Sequence, residues 1–529
     1  MPVDPAVPTG AVLFVPVGAG PAITKGAAPG DPAPGERAIM PGGGRVVRRG
    51  ERHARGMRVR GDEHPQRSVR TRHDRVRGVP RSGGEGDVMS DTPVTLRRRG
   101  EDVEPLASPA LPVPRPLTAP AGFHVLAKPS GAICNLDCSY CFYLEKEELY
   151  PGDRFRMRSE VARAYVTQVI ESHAGAPEIT LAWQGGEPTL MGLSFFSSLV
   201  AFAEEIVPKH QRLVHTIQTN GTLLTEEWAR FLSEKHFLVG ISIDGPPALH
   251  DAYRVDKKGR PTHARVLAGL AHLRRHGVDY NVLCTVHAAN AAHPAAVYRY
   301  LRDECGARFI QFIPIVEHQP TDEDPEAVSS HSVDPAAWGS FLTGVFEEWV
   351  GRDVGTVFVQ SFDTTLASVV GAPPGVCVFA KTCGDAVALE HNGDLYSCDH
   401  FVDPEHLLGN IMTTHMLDLV SSPAQRTFGA DKADALPGEC RRCDVLYACN
   451  GECPKNRFTR TADGEAGLNY LCAGYKAFFR RVDAPMRLMA GLLRENKPAA
   501  AITEIIAAAP RNAPCPCGST RKAKACHGR

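Results

Sequence analysis

Short apolar runs alternate with amphipathic helical segments along the middle of the chain, from about residue 123 to residue 316. The apolar runs have the length of buried strands, and the segments between them repeat apolar positions at the helical spacing. Regular alternation of strand and helix predicts parallel β/α units joined by right-handed crossovers. Six units predict an α/β fold, a partial (β/α)6 barrel that stops short of the closed, eight-unit form. The predicted strands are 124–128, 179–184, 214–219, 238–243, 280–286 and 309–316, and the predicted helices are 159–172, 195–209, 225–235, 262–276 and 293–304.

Polar residues follow the predicted strands where each strand leads into its helix. A cysteine-rich loop follows the first strand, and Gly-Gly-Glu-Pro at 185–188 follows the second. Thr-Asn-Gly at 219–221 ends the third strand, and Ser-Ile-Asp-Gly at 242–245 ends the fourth. Because the active site of a β/α barrel gathers at the carboxyl ends of its strands, these residues predict one shared site.

The N-terminal segment differs in composition from the rest of the chain. Its first 88 residues hold 15 Lys and Arg against 9 Asp and Glu, are rich in Gly and Pro, and show no periodic apolar pattern. Such a segment buries too little apolar surface to offset chain entropy, so residues 1–88 are predicted to be disordered. They are either an Arg-rich nucleic-acid arm or an upstream extension of a chain that starts at Met89. The absence of aromatic or glycine spacing typical of a recognition motif favours the second interpretation.

The overall charge and hydropathy exclude two broad classes of protein. The 529 residues include 59 Lys and Arg and 60 Asp and Glu, so the net charge of −1 argues against nucleic-acid binding as the main activity. No apolar run approaches the ~18 residues of a membrane-spanning helix, and the first 20 residues lack the basic start of a signal peptide. We therefore expect a cytoplasmic protein without a membrane partner.

The 16 cysteines carry most of the chemical information, and none precedes Cys134. Cys284 and Cys305 stand alone in apolar or helical stretches and are predicted to be buried small hydrophobes. The other fourteen form four groups with close C-x2-C and C-x3-C spacings, which suit metal ligation better than a secreted disulfide framework. The groups are Cys134/Cys138/Cys141, Cys377/Cys383/Cys398, Cys440/Cys443/Cys449/Cys453 with Cys472, and Cys515/Cys517/Cys526.

The first group is a C-x3-C-x2-C loop formed by Cys134, Cys138 and Cys141. Three thiolates on one short loop can hold three irons of a [4Fe–4S] cube and leave the fourth iron without a protein ligand. A structural zinc site is the alternative, but it needs four ligands and no nearby His or Cys supplies the fourth. The loop therefore predicts a reactive iron–sulfur cluster with one open position.

The cysteine loop with Tyr140, the Gly-Gly-Glu-Pro turn and the strand order resemble the radical S-adenosylmethionine (SAM) superfamily over about residues 123–316. The resemblance implies that SAM chelates the open iron and is cleaved to methionine and a 5′-deoxyadenosyl radical, which abstracts a substrate hydrogen. It further implies that Glu187 pairs with the SAM ammonium group. The SAM contacts that it implies are Tyr140, Gly185, Gly186, Glu187, Ser242, Arg254 and Val316.

The second half of the chain adds eight cysteines, enough for two clusters with four thiolates each or for two zinc sites. Spacing alone does not decide how the ligands interleave. The arrangement resembles the SPASM extension of radical SAM enzymes that modify peptides and proteins. By that resemblance, Cys377, Cys383, Cys398 and Cys453 hold one [4Fe–4S] cluster, and Cys440, Cys443, Cys449 and Cys472 hold the other.

Three further stretches, around 241–254, 383–402 and 408–411, are similar to the anaerobic sulfatase-maturating enzymes. That family oxidises a Cys or Ser within a C/S-x-P-x-R segment of a sulfatase to Cα-formylglycine. The resemblance implies that Asp399 is the general base, and the alternative is that Asp399 only hydrogen-bonds the cluster loop. Asp363 is a second candidate carboxylate. A small electron donor such as flavodoxin or ferredoxin is the further partner that this chemistry implies.

Two other functions stay open from the sequence. Maturation of a ribosomally made peptide uses the same chemistry, and a non-catalytic iron–sulfur electron carrier would use the same ligands. The open iron position argues against a carrier, whose cluster would be fully ligated.

The last group of cysteines resembles the SEC-C zinc motif. Cys515, Cys517, Cys526 and His527 would complete a tetrahedral zinc site. The predicted organisation is thus a disordered extension (1–88), a linker (89–120), a radical SAM partial barrel (121–350), a SPASM domain (351–485), a linker helix (486–510) and a zinc-binding tail (511–529).

Overall fold

The computed structural model of the protein describes residue 120 and residues 122–527. The extension predicted over 1–88 and almost all of the linker predicted over 89–120 lie outside the described residues. Among the residues described, no helix combines the length and the apolar composition that crossing a membrane requires.

One ten-stranded sheet forms the centre of the molecule, in the order β10-β9-β8-β1-β2-β3-β4-β5-β6-β7. The run from β1 to β7 is parallel throughout. All six predicted strands are present, each end within two residues of its predicted position. The strands of this sheet are β1 (His124–Ala127), β2 (Glu178–Trp183), β3 (Arg212–Thr219), β4 (Leu238–Ser242), β5 (Tyr280–Val286), β6 (Phe309–Pro314), β7 (Phe358–Val359), β8 (Ala386–Leu389), β9 (Asp394–Tyr396) and β10 (Leu407–Asn410); β11 (Thr459–Arg460) and β12 (Ala466–Leu468) form a separate hairpin.

Helices between successive strands bury apolar faces against the sheet, and the main core lies between the two layers. The predicted helix over 293–304 is an α-helix followed by a π-helical turn over Tyr300–Glu304. The helices are α1 (Ser159–Ser172), α2 (Leu193–Ile206), α3 (Glu226–Glu234), α4 (Pro247–His250), α5 (His263–Arg275), α6 (Pro294–Arg299), α7 (Pro335–Val350), α8 (Gln360–Val370), α9 (Met416–Val420), α10 (Pro423–Asp434), α11 (Gly438–Arg441), α12 (Leu446–Cys449), α13 (Cys472–Arg494) and α14 (Ala501–Ala507).

Three strands of the C-terminal half extend the central sheet. Strand β8 pairs in parallel with β1, with His124 opposite Ala386 and Ala127 opposite Leu389, and β9 and β10 continue the sheet as antiparallel neighbours. Every residue of β8 is buried, so its apolar Ala-Val-Ala-Leu run joins the central core. This pairing brings the residues that follow β8 and β9 beside the residues that follow β1.

Helix α13 corrects the boundary predicted at residue 485. The helix runs without interruption through Pro485 to Arg494, so residues 486–494 continue it instead of starting a linker. Its amino end packs tightly on α7, where a Cβ on Gly474 would lie only 2.1 Å from the Pro335 carbonyl oxygen. Within the predicted linker helix, only α14 is a separate element.

Candidate active site at the carboxyl ends of the strands

A cavity of about 310 Å³ opens at the carboxyl ends of the parallel strands. Its walls come from the cysteine loop after β1, the glycine turn after β2, the ends of β3 to β6, and the C-terminal half of the chain. The predicted site residues that line it are Cys134, Cys138, Cys141, Tyr140, Gly185, Gly186, Ser242, Arg254, Val316, Asp399 and Cys453. Residues from both halves of the chain therefore share one space.

The cysteine loop is held by the segment that follows α4. Backbone amides of Asp137 and Ser139 donate to the carbonyls of Val255 and Tyr253, at 2.9 and 3.0 Å. Burial raises the pKa of the Cys134 and Cys138 thiols to about 12, so these sulfurs need a bound cation to become thiolates. Three thiols that line one cavity, of which Cys138 is buried and the other two are half-buried, fit a cluster held by three protein ligands.

The glycine turn lies so close to the neighbouring backbone that neither of its two glycine positions has room for a side chain. Gly185 has φ +101°, which favours glycine, and a Cβ on Gly186 would lie 2.1 Å from the Ile133 carbonyl oxygen. The turn is fixed to the cysteine loop by a 2.8 Å bond from the Gly186 amide to the Gly131 carbonyl. Backbone, and not side chain, is what this turn presents to a ligand.

Glu187 lies behind the cavity wall and is fully buried. Its carboxylate accepts hydrogen bonds from the Thr189 amide and hydroxyl, the Thr219 hydroxyl and the Asn220 amide. Three of these donors reach Oε1 and one reaches Oε2, so the contact with the SAM ammonium group that the resemblance implies stays a prediction. In this structure the side chain braces the turn after β3, and Asn220 of that turn reaches Cys134 Sγ at 3.5 Å.

Asp244 joins two predicted SAM contacts, although no motif assigned a role to Asp244 itself. Its carboxylate accepts from Tyr140 Oη at 2.5 Å and Arg254 Nε at 2.7 Å, and from the Thr285 amide at 2.9 Å. Burial alone would raise the pKa of this carboxyl, but the charge of Arg254 lowers it well below its ordinary value. The signal for Asp244 was its place at the end of β4.

We expect Asp244→Asn to lower the free energy of unfolding by about 3–5 kcal/mol, because the buried Arg254 guanidinium loses its counter-charge. Denaturant unfolding under anaerobic conditions measures the change. The matched control is Glu495→Gln, which breaks the exposed pair with Lys497 and should leave the free energy of unfolding close to the parent value. Equal losses in the two variants would contradict a buried ionic hub at Asp244.

Asp399 reaches the cavity from the loop after β9, and its carboxylate is held from two sides. Lys128 Nζ lies 2.6 Å from Oδ1, and Tyr143 Oη donates to Oδ2 at 2.6 Å. Burial alone would raise the pKa of Asp399, but the charges of Lys128 and Lys146 lower it below its ordinary value. The carboxylate is therefore ionised and oriented. Asp363 does not line the cavity.

The eight auxiliary cysteines divide into two spatial sets. Burial raises the pKa of four of these thiols, and the charges of nearby cysteines raise it further; the four are Cys377, Cys449, Cys453 and Cys472. For Cys377 and Cys453 the nearby cysteines belong to the set Cys377, Cys383, Cys398 and Cys453. For Cys449 and Cys472 they belong to the set Cys440, Cys443, Cys449 and Cys472. That each set holds one cluster, as the resemblance implies, stays a prediction.

The lone cysteines and the tail also have defined surroundings. Cys284 and Cys305 are fully buried in the main core, as predicted. Cys515, Cys517, Cys526 and His527 place one donor atom each within 4.8 Å of the others. Donors this close fit a single ion, whereas the ligands of a cube surround a wider space because each binds a different iron.

Comparisons with known proteins agree with this architecture. The radical SAM superfamily profile matches residues 129–301, an iron–sulfur cluster-binding domain called SPASM matches 377–444, and the SEC-C motif matches 511–529.

Two relatives illustrate the similarity along the chain. A serine-type anaerobic sulfatase-maturating enzyme of Bacteroides thetaiotaomicron is 44% identical over 392 residues, which are 71% of this chain and 93% of the relative. A cysteine-type anaerobic sulfatase-maturating enzyme of Clostridium perfringens is 33% identical over 358 residues, 67% of this chain and 95% of the relative. A solved structure described as native anSMEcpe with bound AdoMet and Cp18Cys peptide is 31% identical, with a TM-score of 0.62 over 70% of this chain and 99% of that one.

Proposed function

The chain belongs to the anaerobic sulfatase-maturating enzymes of the radical SAM superfamily, and from this membership we propose that it oxidises a Cys or Ser side chain of a sulfatase to Cα-formylglycine. The substrate residue would lie in a C/S-x-P-x-R segment of the sulfatase polypeptide. A small electron-donor protein such as flavodoxin or ferredoxin would supply reducing equivalents.

One observation carries the proposal. The thiols of Cys134, Cys138 and Cys141 and the carboxylate of Asp399 line the same cavity. Oxidation of a Cβ–SH or Cβ–OH group needs a hydrogen atom removed from carbon and a proton removed from the heteroatom, and the one electron that remains passes to an acceptor cluster. A cavity with a cluster site on one wall and an ionised carboxylate on another offers both functions to one substrate residue.

The donor sets fit three [4Fe–4S] clusters and SAM, and the tail fits one Zn²⁺. The cavity loop would hold the open cluster, and the two sets of four cysteines would hold the auxiliary ones. When bound, the open cluster and SAM supply the 5′-deoxyadenosyl radical that takes the Cβ hydrogen, and the auxiliary clusters supply redox capacity.

The chain's own residues position the reactants. The backbone of Gly185 and Gly186 would contact SAM, with Ser242 beside it on the wall formed by the end of β4. Arg254 is fixed by Asp244 and would meet the charged end of the ligand. Tyr140 and Val316 would complete the contacts. These assignments rest on one fact: each of these residues lines the cavity that the cysteine loop also lines.

Asp399 would take the proton of the substrate thiol or hydroxyl as general base. One oxygen is paired with Lys128 and the other accepts a hydrogen bond from Tyr143, and these two contacts fix the direction of the carboxylate. Each carboxylate oxygen has a second lone-pair site, so the group can still accept the substrate proton. Tyr143 itself lines the cavity, and its hydroxyl is therefore placed beside the substrate as well.

The direct test is anaerobic incubation of the reconstituted protein with SAM, a reductant and synthetic peptides, followed by mass spectrometry. Peptides with C-x-P-x-R and S-x-P-x-R segments should gain an aldehyde, and a peptide with Ala at the target position should not. If SAM is cleaved but neither peptide changes, the proposed substrate class is wrong and a ribosomally made peptide becomes the next substrate to test.

A further inference from the structure

His400 connects the cavity to an auxiliary cluster site. Its side chain is exposed within the cavity wall, and its Nδ1 lies 3.5 Å from Cys453 Sγ. Its ring packs edge-on against Phe142 of the cysteine loop, with centroids 5.8 Å apart. Of the eight auxiliary cysteines, all of which lie within the described residues, Cys453 is the one that lines the cavity.

The chemistry of Cys453 fixes the direction of this contact. A thiolate bound to iron has no proton and can only accept a hydrogen bond, so Nδ1 of His400 must be the donor. A hydrogen bond to a ligating sulfur stabilises the more negative, reduced state of a cluster and is one of the main determinants of its potential.

We propose that His400 is a positioning residue that raises the reduction potential of the cluster nearest the substrate through an N–H···S hydrogen bond to Cys453. The inference rests on the proposed function, because oxidation of the substrate residue releases electrons that a cluster beside the cavity must be able to accept. The contact itself is independent of the identity of the substrate.

Three substitutions separate the hydrogen bond from the ring. His400→Asn places an amide N–H where Nδ1 stands, His400→Gln places it where Nε2 stands, and His400→Phe keeps the ring without a donor. The measurement is a redox titration followed by electron paramagnetic resonance. The titration is made without substrate, in full-length protein in which Cys134, Cys138 and Cys141 are replaced by Ala. Only the two auxiliary clusters then contribute to the resonance signal.

In the Gln and Phe variants one of the two midpoint potentials should fall by ~59 mV, a tenfold change in the one-electron equilibrium constant. In the Asn variant both should stay at the parent values, and iron content should be equal in all. Unchanged potentials in Gln and Phe, or an equal fall in Asn, would overturn the proposal. Because no substrate is present, failure of peptide oxidation leaves this result unaffected and counts only against the proposed function.

The C-terminal tail supports an independent inference, because it is docked on the catalytic body. His527 Nδ1 lies 3.4 Å from Cys515 Sγ, while its Nε2 lies 2.9 Å from the Glu347 carbonyl oxygen near the end of α7. Arg481 of α13 donates to the Cys517 carbonyl at 3.0 Å and pairs with Glu347 at 2.8 Å. The tail thus bridges α7 and α13.

Two glycines show how closely the tail and the body fit. A Cβ on Gly351, at the end of α7, would lie 2.6 Å from His527 Cδ2, and a Cβ on Gly518 would lie 2.9 Å from Pro485 Cδ. Gly351 has φ −77°, so alanine is compatible with its backbone and only the contact with His527 forbids it.

We infer that the metal-bound tail is a clasp that holds α7 against α13. An ion on Nδ1 forces the remaining ring proton onto Nε2, which then donates to the Glu347 carbonyl. That carbonyl is one of the last four of α7, which lack partners within the helix. The two helices supply Trp338 and Tyr475 to the cavity wall, and α13 begins at the cluster ligand Cys472.

The test compares Gly351→Ala, which leaves all four metal ligands in place, with Gly491→Ala, whose added Cβ meets nothing within 4 Å. Gly351→Ala should bind zinc but unfold a few degrees lower in a thermal scan, and its segment between α13 and α14 should be cut faster by protease. Cys526→Ala should lose the zinc and show the same fall. Gly491→Ala should unfold at or above the parent midpoint. A parent-like midpoint in Gly351→Ala or in Cys526→Ala would overturn the clasp.

Discussion

Replacing Cys134, Cys138 and Cys141 together by Ala should remove about four irons per chain and abolish SAM cleavage. The parent protein should hold about twelve irons in three clusters, because eleven cysteines supply three ligands to one cluster and four to each of two others. The three thiols line the cavity, and their replacement removes every protein ligand of the proposed open cluster. Iron analysis and 5′-deoxyadenosine quantification measure the two effects.

The chain provides a matched control in its two lone cysteines. Cys284 and Cys305 are fully buried in the main core and belong to none of the ligand groups. Replacing both by Ala should leave iron content and SAM cleavage at the parent values. If the triple variant keeps all its iron, or still cleaves SAM, the open cluster does not sit on this loop.

Local patterns were sufficient to predict the barrel. Each strand of the radical SAM half is a short apolar run bounded by polar residues, and each helix carries its own apolar face. The strand over Tyr280–Val286 and the helix over Ser159–Ser172 end where the pattern predicts, because both are bounded by clear changes in polarity. Parallel order then follows from the crossovers alone.

The pairing of β8 with β1 could not be predicted in the same way. Its four residues are apolar, but nothing in their pattern indicates which strand they pair with, and that strand lies more than 250 residues away in the chain. The contact between Lys128 and Asp399 depends on that pairing, since Lys128 follows β1 and Asp399 follows β9. Sequence reasoning therefore identified the carboxylate but not the lysine that holds it.

The hydrogen-bond partners of Glu187 and Asp244 could not be predicted from the sequence either. Both are acidic residues at the carboxyl ends of strands, and the motif pointed to the first of them as a ligand contact. Three-dimensional packing gives Glu187 donors from Thr189, Thr219 and Asn220, and gives Asp244 the guanidinium of Arg254. Residue type and strand position predict that a carboxylate belongs to the site. Which groups satisfy it depends on neighbours that come from other strands.

Asp399→Asn should lower formylglycine formation by the ~10²–10⁴-fold that a positioned base contributes, while 5′-deoxyadenosine still accumulates. Asparagine preserves the shape and the contact to Tyr143 but cannot accept the substrate proton. The fold should tolerate the change because Glu390 Oε1, 2.9 Å from Lys128 Nζ, keeps the buried lysine paired. Product and 5′-deoxyadenosine are measured in the same anaerobic reaction.

Iron content separates a base from a residue that only supports the cluster loop. Cys398 is unchanged in Asp399→Asn, so the variant should hold the full complement of iron, and a loss of iron would assign Asp399 to the support of the cluster instead of to proton transfer. The matched control is Asp363→Asn, which changes a carboxylate outside the cavity and should make product at the parent rate. An Asp399→Asn protein with full iron and a parent rate of product formation would remove Asp399 from the mechanism. The proton of the substrate would then have to leave through another group of the cavity wall, of which the Tyr143 hydroxyl, 2.6 Å from the same carboxylate, is the nearest.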